Sequence, residues 1–401
     1  MKLDPKVIFR EGSGAKAFFF SILVWGIGVG AFAAGLNNYL SDICKMDSVD
    51  RGILEFFREL PGLLLVFMLA LLHRCSDWKV MRLGVLISMA GAGLLLIPGD
   101  KIFIVGAIMV WSMGEHLVMP VRNGIAIRVA KEGHEGESLG YLTGIMNFGS
   151  VAGSLLVAIL FYLGTNLFAA KIQHLFQILF VIIFLLLTAS LIGSSTPKGE
   201  REATKRPRLL FRKKFSLYYF LELFYGARKQ IFLTFAPYVL IKEYGFPTSS
   251  MALLFGICAF VNIFASPAVG KLSDRWGYRN VMIWDTVILF FVCLLYGYAG
   301  NLFPAKIALM VVCANFLLDA VISTTALATN LYVKTLSSDK EELTSTFSTG
   351  ISINHLIAIL FAPLGGWIWQ KYGIGVLFTF AAIMAVGNTL LALCVPKPGK
   401  G

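Results

Sequence analysis

Long apolar runs separated by short polar breaks dominate this chain. About 20 mainly apolar residues cross the hydrocarbon core of a bilayer as a helix, and no water is available there to satisfy an exposed backbone. Twelve such spans are predicted, at about 16–40, 50–73, 79–98, 102–128, 138–163, 171–195, 214–241, 249–270, 279–299, 303–333, 341–369 and 372–395. The longest polar stretch, TPKGEREATKRPRLLFRKK from Thr196 to Lys214, follows the sixth. It divides the chain into a six-helix bundle over 1–195, a basic linker over 196–214 and a second six-helix bundle over 215–401. The expected fold is an all-α integral membrane protein of two pseudo-symmetric six-helix bundles.

Composition narrows the class. Of 401 residues, 57% are hydrophobic and 14% charged, and the mean hydropathy of +0.76 is beyond what a soluble protein sustains. The net charge of +12 follows the positive-inside rule once the N-terminus is placed in the cytoplasm. Only Lys45, Arg51, Lys101, Lys171, Lys242, Lys306 and Lys371 then fall outside, against many Lys and Arg on the inner side. Both termini are therefore expected inside, in a bacterial inner (plasma) membrane, with the basic excess touching anionic headgroups rather than nucleic acid. The opening MKLDPKVIFREGSGAK does not read as a cleavable signal peptide. Of the six cysteines only Cys44 faces outward, and no metal-ligand spacing appears, so neither a disulfide framework, a metal nor a cofactor is expected.

The two halves echo one another. Asp274 and Arg279 follow Asp77 and Arg82 at the same interval. Thr143-Gly144-Ile145 recurs as Thr349-Gly350-Ile351, and Tyr39-Leu40 recurs near Tyr238-Val239-Leu240. The three matches keep their order at similar offsets, which argues for a duplicated bundle. The run GKLSDRWGYR, Gly270 to Arg279, is a short charged turn between two apolar stretches, and it resembles the loop signature of the major facilitator superfamily. That resemblance implies two bundles rocking about a midplane site, with gating at Gly270, Asp274, Arg275, Gly277 and Arg279. The first-half copy departs from the signature at His73, Trp78 and Val80, so the gating expectation rests less firmly on Asp77. The plainer reading of the turn is a stable connection carrying orienting charge.

Ionisable groups at membrane depth are costly and each is a functional candidate. Glu55, Arg58 and Glu59 share one face of the second span, as an outer gate or a self-neutralised cluster. The seventh span carries Glu222, Tyr225, Arg228 and Lys229, with Arg228 near the midplane. Its two cations need an anionic partner: Glu222, an acid on another helix, or the substrate. The fourth span carries Glu115 and His116, suited to proton coupling, with Arg122 seven residues after Glu115 on the same face. Asp319 and His355 are lone groups, and Asp285, two turns from the inner loop, is expected to pair with a basic residue there. Pro61, Pro120, Pro237, Pro267 and Pro363 fall inside spans, and glycines in the first and fifth permit close helix contact.

The expected function is secondary active transport of a small polar, anionic organic solute by alternating access, coupled to protons. Arg228 with Lys229 or Arg122 would hold the anion beside Glu222 and Tyr225. Glu115, His116, Asp319 or His355 would carry the proton. The protein is expected to act as a monomer among membrane lipids. The alternatives are an exporter of amphipathic compounds, although the fifth span lacks a drug-antiporter proline at Phe148–Gly153, an intramembrane enzyme built on Glu115 and His116, or a non-transporting sensor.

Overall fold

The computed structural model describes residues 5–194, 211–338 and 340–397. Among these residues there is no strand, only an isolated antiparallel bridge between Phe9 and Ala130. Twelve long helices follow in order: α1 Ala15–Asn38, α2 Ser48–Leu71, α3 Asp77–Leu94, α4 Lys101–Val129, α5 Glu135–Asn166, α6 Ile172–Gly193, α7 Ser216–Tyr244, α8 Thr248–Trp276, α9 Tyr278–Leu302, α10 Ala305–Leu336, α11 Lys340–Tyr372 and α12 Ile374–Cys394. α1 runs on into a π-helical turn at Tyr39–Ile43. α10 is not the continuous span expected: a 3-10 turn at Ser323–Thr325 separates Ala305–Ile322 from Ala326–Leu336. Each of the five prolines sits inside a helix that continues past it. Residues 196–210 of the expected linker lie outside the described residues.

Nine of these helices are apolar and long enough to cross a membrane. The other three, α2, α3 and α7, each carry at least three charged residues. Helices of this number and composition make the chain an integral multi-pass membrane protein.

The chain separates into two compact units: one of Met1–Tyr39, Leu64–Arg206 and Pro247–Phe260, the other of Leu40–Leu63, Pro207–Phe246 and Val261–Gly401. Most of α2 therefore belongs with the second unit. In the first, α1 lies against α5 and α6, and α3 against α4 and α6. Small residues allow this: a Cβ at Gly149 would meet the backbone of Gly26. Ser21 and Ser190 lock α1 to α6 through reciprocal bonds, Ser21 Oγ to the Ser190 carbonyl at 2.7 Å and Ser190 Oγ to the Ser21 carbonyl at 3.0 Å. Trp25, Trp111 and Phe32 stack in the core. In the second unit α7 packs on α11 and α12, and α9 on α10 and α12. Phe232, Tyr296 and Phe378 fill that junction.

Candidate functional site

In the first unit, α4 presents Glu115 and Arg122 seven residues apart, about 10 Å along the axis. Trp111 Nε1 donates to Glu115 Oε2 at 3.3 Å. Arg122 lines a cavity of about 320 Å³ among α1, α4 and α5, together with Asn123, Thr143, Asn147 and Ser150. Its Nη1 reaches only the Met146 sulfur at 3.6 Å, a weak acceptor. Its Nε is buried and has no hydrogen-bond partner, and Arg122 makes no ion pair among the described residues. A cation beside a polar cavity, with donors unspent, is the geometry an anion would complete.

His116 does not face Glu115. It is buried, with Nδ1 2.8 Å from the Ser112 carbonyl oxygen and 3.1 Å from Ser112 Oγ. A carbonyl only accepts, so the ring proton sits on Nδ1. Successive residues point to different sides of a helix, which is why the expected Glu-His pair does not form.

In the second unit the cations of α7 have found a protein partner. Arg228 is fully buried and its Nη1 donates to Asp319 Oδ1 at 2.8 Å. The Tyr225 ring lies 4.8 Å from the guanidinium and 5.9 Å from Lys229 Nζ. The Tyr225 hydroxyl donates to the Ser323 carbonyl in the α10 turn at 3.3 Å. Glu222 accepts from Asn354 Nδ2 at 2.7 Å, and Lys229 lies within electrostatic reach of Glu222 and Glu59. Asp319 is thus not a lone acid. Of the three partners open to Arg228, the structure selects the acid on another helix.

A second network joins the start of α2 to α7 and α11 in the same unit. Glu55 is fully buried, accepting from Arg51 Nη1 at 2.6 Å, from Arg58 at 2.5 and 3.0 Å and from Gln230 Nε2 at 3.0 Å. Glu59 accepts from Arg58 Nη2 at 2.7 Å and lies 2.8 Å from His355 Nδ1. Two arginines balance two glutamates, and His355 sits at the edge of a set already neutral. Close approach of α2 to α11 needs glycine: a Cβ at Gly52 would strike the Ala362 carbonyl oxygen, and one at Gly366 that of Ser48.

The turn motifs behave unequally. Gly270–Trp276 is not loop but the last turns of α8, and the connection to α9 is Gly277 alone, at φ +79°. That left-handed conformation favours glycine. Asp274 and Arg275 are exposed, and among the described residues Asp274 has no partner, so it does not cap a neighbouring helix. Arg279 Nη2 binds the Leu393 carbonyl at 2.8 Å, satisfying the end of α12. Asp77, from the weaker sequence copy, is almost fully buried and holds Arg128 Nη2 at 2.6 Å.

Asp285 corrects a further expectation. It is buried beside Arg228 and Asp319, not paired with a basic residue of the inner turn. Counting residues from the turn misjudged its surroundings, which depend on how α9 is rotated against α7 and α10.

Residues 56–337 match the model of the Major Facilitator Superfamily. No curated protein sequence matches the chain significantly. Among solved structures, the nucleoside transporter NupG aligns at TM-score 0.74 with 12% identity, over 96% of this chain and 98% of that one. A POT family transporter in complex with a thioalcohol-conjugated peptide aligns at 0.72 with 12% identity, over 95% of each chain. A POT family transporter in complex with 5-aminolevulinic acid aligns at 0.70 with 14% identity, again over 95% of each. At these identities the likeness is one of fold.

Proposed function

This chain belongs to the Major Facilitator Superfamily, and from that premise we propose that it is a proton-coupled secondary transporter of a small polar organic anion. The observation that carries the anion is Arg122, a cation on a polar cavity with Glu115 in electrostatic reach but no acid hydrogen-bonded to it among the described residues. In this reading Arg122 grips the carboxylate or phosphate, and Asn123, Thr143, Asn147 and Ser150 supply hydrogen bonds to the rest of the solute. Arg228 takes another part. Because Asp319 already occupies it, Arg228 serves as the counter-charge of a coupling acid, and Lys229 stands beside Glu222 in support. His355 on Glu59 is a second group positioned to follow the proton, and the Glu55–Arg58–Glu59 cluster holds the outer end of α2 as a gate element. An exporter of lipophilic cations fits poorly, since a guanidinium on the cavity wall repels them.

The test uses purified protein and a panel of carboxylates, phosphates, nucleosides and lipophilic cations. An anion that binds the native state raises its apparent melting temperature. Losing a charge-assisted grip costs about 2–5 kcal/mol, so Arg122→Ala is expected to weaken binding by about 30-fold or more, with Arg122→Lys retaining part. Equal anion-induced stabilisation of wild type and Arg122→Ala would reject the site.

A further inference from the structure

The cavity that Arg122 lines has two unlike walls. Thr143, Met146, Asn147 and Ser150 of α5 follow one another at three- and four-residue steps, so they share one face and span about 10 Å of the helix axis. Arg122 and Asn123 of α4 complete this polar wall. The guanidinium lies level with its middle, Nη1 being 3.6 Å from the Met146 sulfur. α1 contributes Gly26, Val29, Gly30 and Ala33, none of which has a side-chain donor or acceptor.

Beside the cation, the polar wall holds acceptors in want of protons. Thr143 Oγ1 donates its one proton to the Leu139 carbonyl at 3.0 Å, on its own helix. Toward the cavity that oxygen offers lone pairs alone. The side chains of Asn123 and Asn147 make no hydrogen bond among the described residues, so each has an amide oxygen as well as an NH2 group free for a solute. A bare alkyl carboxylate would satisfy Arg122, displace water from these acceptors and give them nothing in return, which is costly. A solute carrying donors of its own meets them.

Those donors are neutral. No acid lines the cavity among the described residues. Glu115, which acts on Arg122 electrostatically, stands two turns back along α4 and accepts from Trp111 at 3.3 Å. An ammonium would share the cavity with a guanidinium and find no counter-charge on its walls. Hydroxyls donate without that cost, and the C–H side of a carbinol chain suits the apolar wall of α1. At about 320 Å³ the cavity is at the small end of the range for ligand pockets, about 300–1,000 Å³.

We propose that this cavity takes a small hydroxylated anion. Its carboxylate or phosphate sits on Arg122, its hydroxyls donate to Thr143, Asn123 and Asn147, and its carbon chain lies against α1. The proposal rests on the anion reading above and narrows the class of solute.

Thermal shift on the purified protein separates the possibilities with four six-carbon probes: gluconate, mannitol 1-phosphate, hexanoate and 6-aminohexanoate. The two hydroxylated anions are expected to raise the melting temperature, and the stronger of them tells which head Arg122 prefers. Hexanoate is expected to bind at least about tenfold more weakly, and 6-aminohexanoate not at all. Thr143→Val keeps the shape of the side chain and removes the acceptor, so the preference for gluconate over hexanoate should fall about tenfold. Thr143→Ser keeps the hydroxyl and should keep the preference, which separates a lost acceptor from a disturbed helix. Hexanoate or 6-aminohexanoate matching the hydroxylated anions, in an effect lost with Arg122→Ala, overturns the hydroxyl assignment and leaves the anion site standing. A preference unchanged in Thr143→Val overturns it as well. Stabilisation by none of the four, or stabilisation that survives Arg122→Ala, removes both readings.

Discussion

Two arginines at membrane depth, Arg122 in the first unit and Arg228 in the second, differ in one respect that decides their chemistry. Arg228 is locked to Asp319 at 2.8 Å and faced by Tyr225. Arg122 has a thioether and a cavity. A buried cation hydrogen-bonded to an acid has its donors committed within the protein, whereas Arg122 keeps a buried Nε without a hydrogen-bond partner. The two units thus hold these arginines differently, one hydrogen-bonded to an acid and the other beside a cavity with Glu115 in electrostatic reach.

That contrast can be broken by mutation. Arg228→Ala strands Asp319 in a buried site and is expected to destabilise the protein by about 3–5 kcal/mol, read as a lower melting temperature. Adding Asp319→Asn should recover much of the loss. Arg122→Ala, with no acid hydrogen-bonded to it, should change stability by no more than about 1 kcal/mol. If the two single variants melt alike, the distinction between a structural and an available arginine fails.

The turn motifs offer a second, smaller contrast. Asp77→Asn weakens a buried hydrogen bond to Arg128 and should cost about 1–3 kcal/mol, while Asp274→Asn, exposed and without a partner, should lie within about 0.5 kcal/mol of wild type. Parallel melts of the two variants check the order; a larger effect at Asp274 would restore the turn to the prominence its sequence suggested.

The smallest effect concerns Glu342, which lies ahead of the apolar stretch Ser345–Tyr372 of α11. Lys214 Nζ at 2.6 Å, the Ser338 amide at 2.7 Å and Arg212 hold this carboxyl, lowering its pKa to about 2. A lowered pKa contributes stability that is fully present above the ordinary carboxyl value of 4.5 and is lost as pH falls toward about 2. The melting difference between wild type and Glu342→Gln should therefore be constant from pH 8 to 5 and shrink below that. A difference that grows on acidification would contradict the assignment.

The helices were legible because their signal is local. Apolar runs gave all twelve spans, and α8 and α9 begin within a residue of expectation. The break in α10 was hidden, since Ser323-Thr324-Thr325 carries neither glycine nor proline to mark it. Candidate charges were legible by type and depth, but their pairing was not. Arg228 meets Asp319 91 residues away, and Glu59 meets His355 296 residues away, contacts fixed by helix rotation and register. Adjacent Glu115 and His116 misled for the opposite reason: neighbours in sequence diverge around a helix. Arg122 was named among the anion ligands, but only the cavity wall and its unpartnered Nε single it out.

The arrangement of α2 has a consequence for synthesis. Glu55 meets Gln230 only after 175 more residues have been made, and Glu59 meets His355 after 296. At roughly 5–20 residues per second that is a wait of about ten seconds to a minute. Arg51 and Arg58, on the same helix as Glu55, are present from the start. In a helix too charged to enter lipid by hydropathy alone, they answer Glu55 and Glu59 until α7 and α11 are translated.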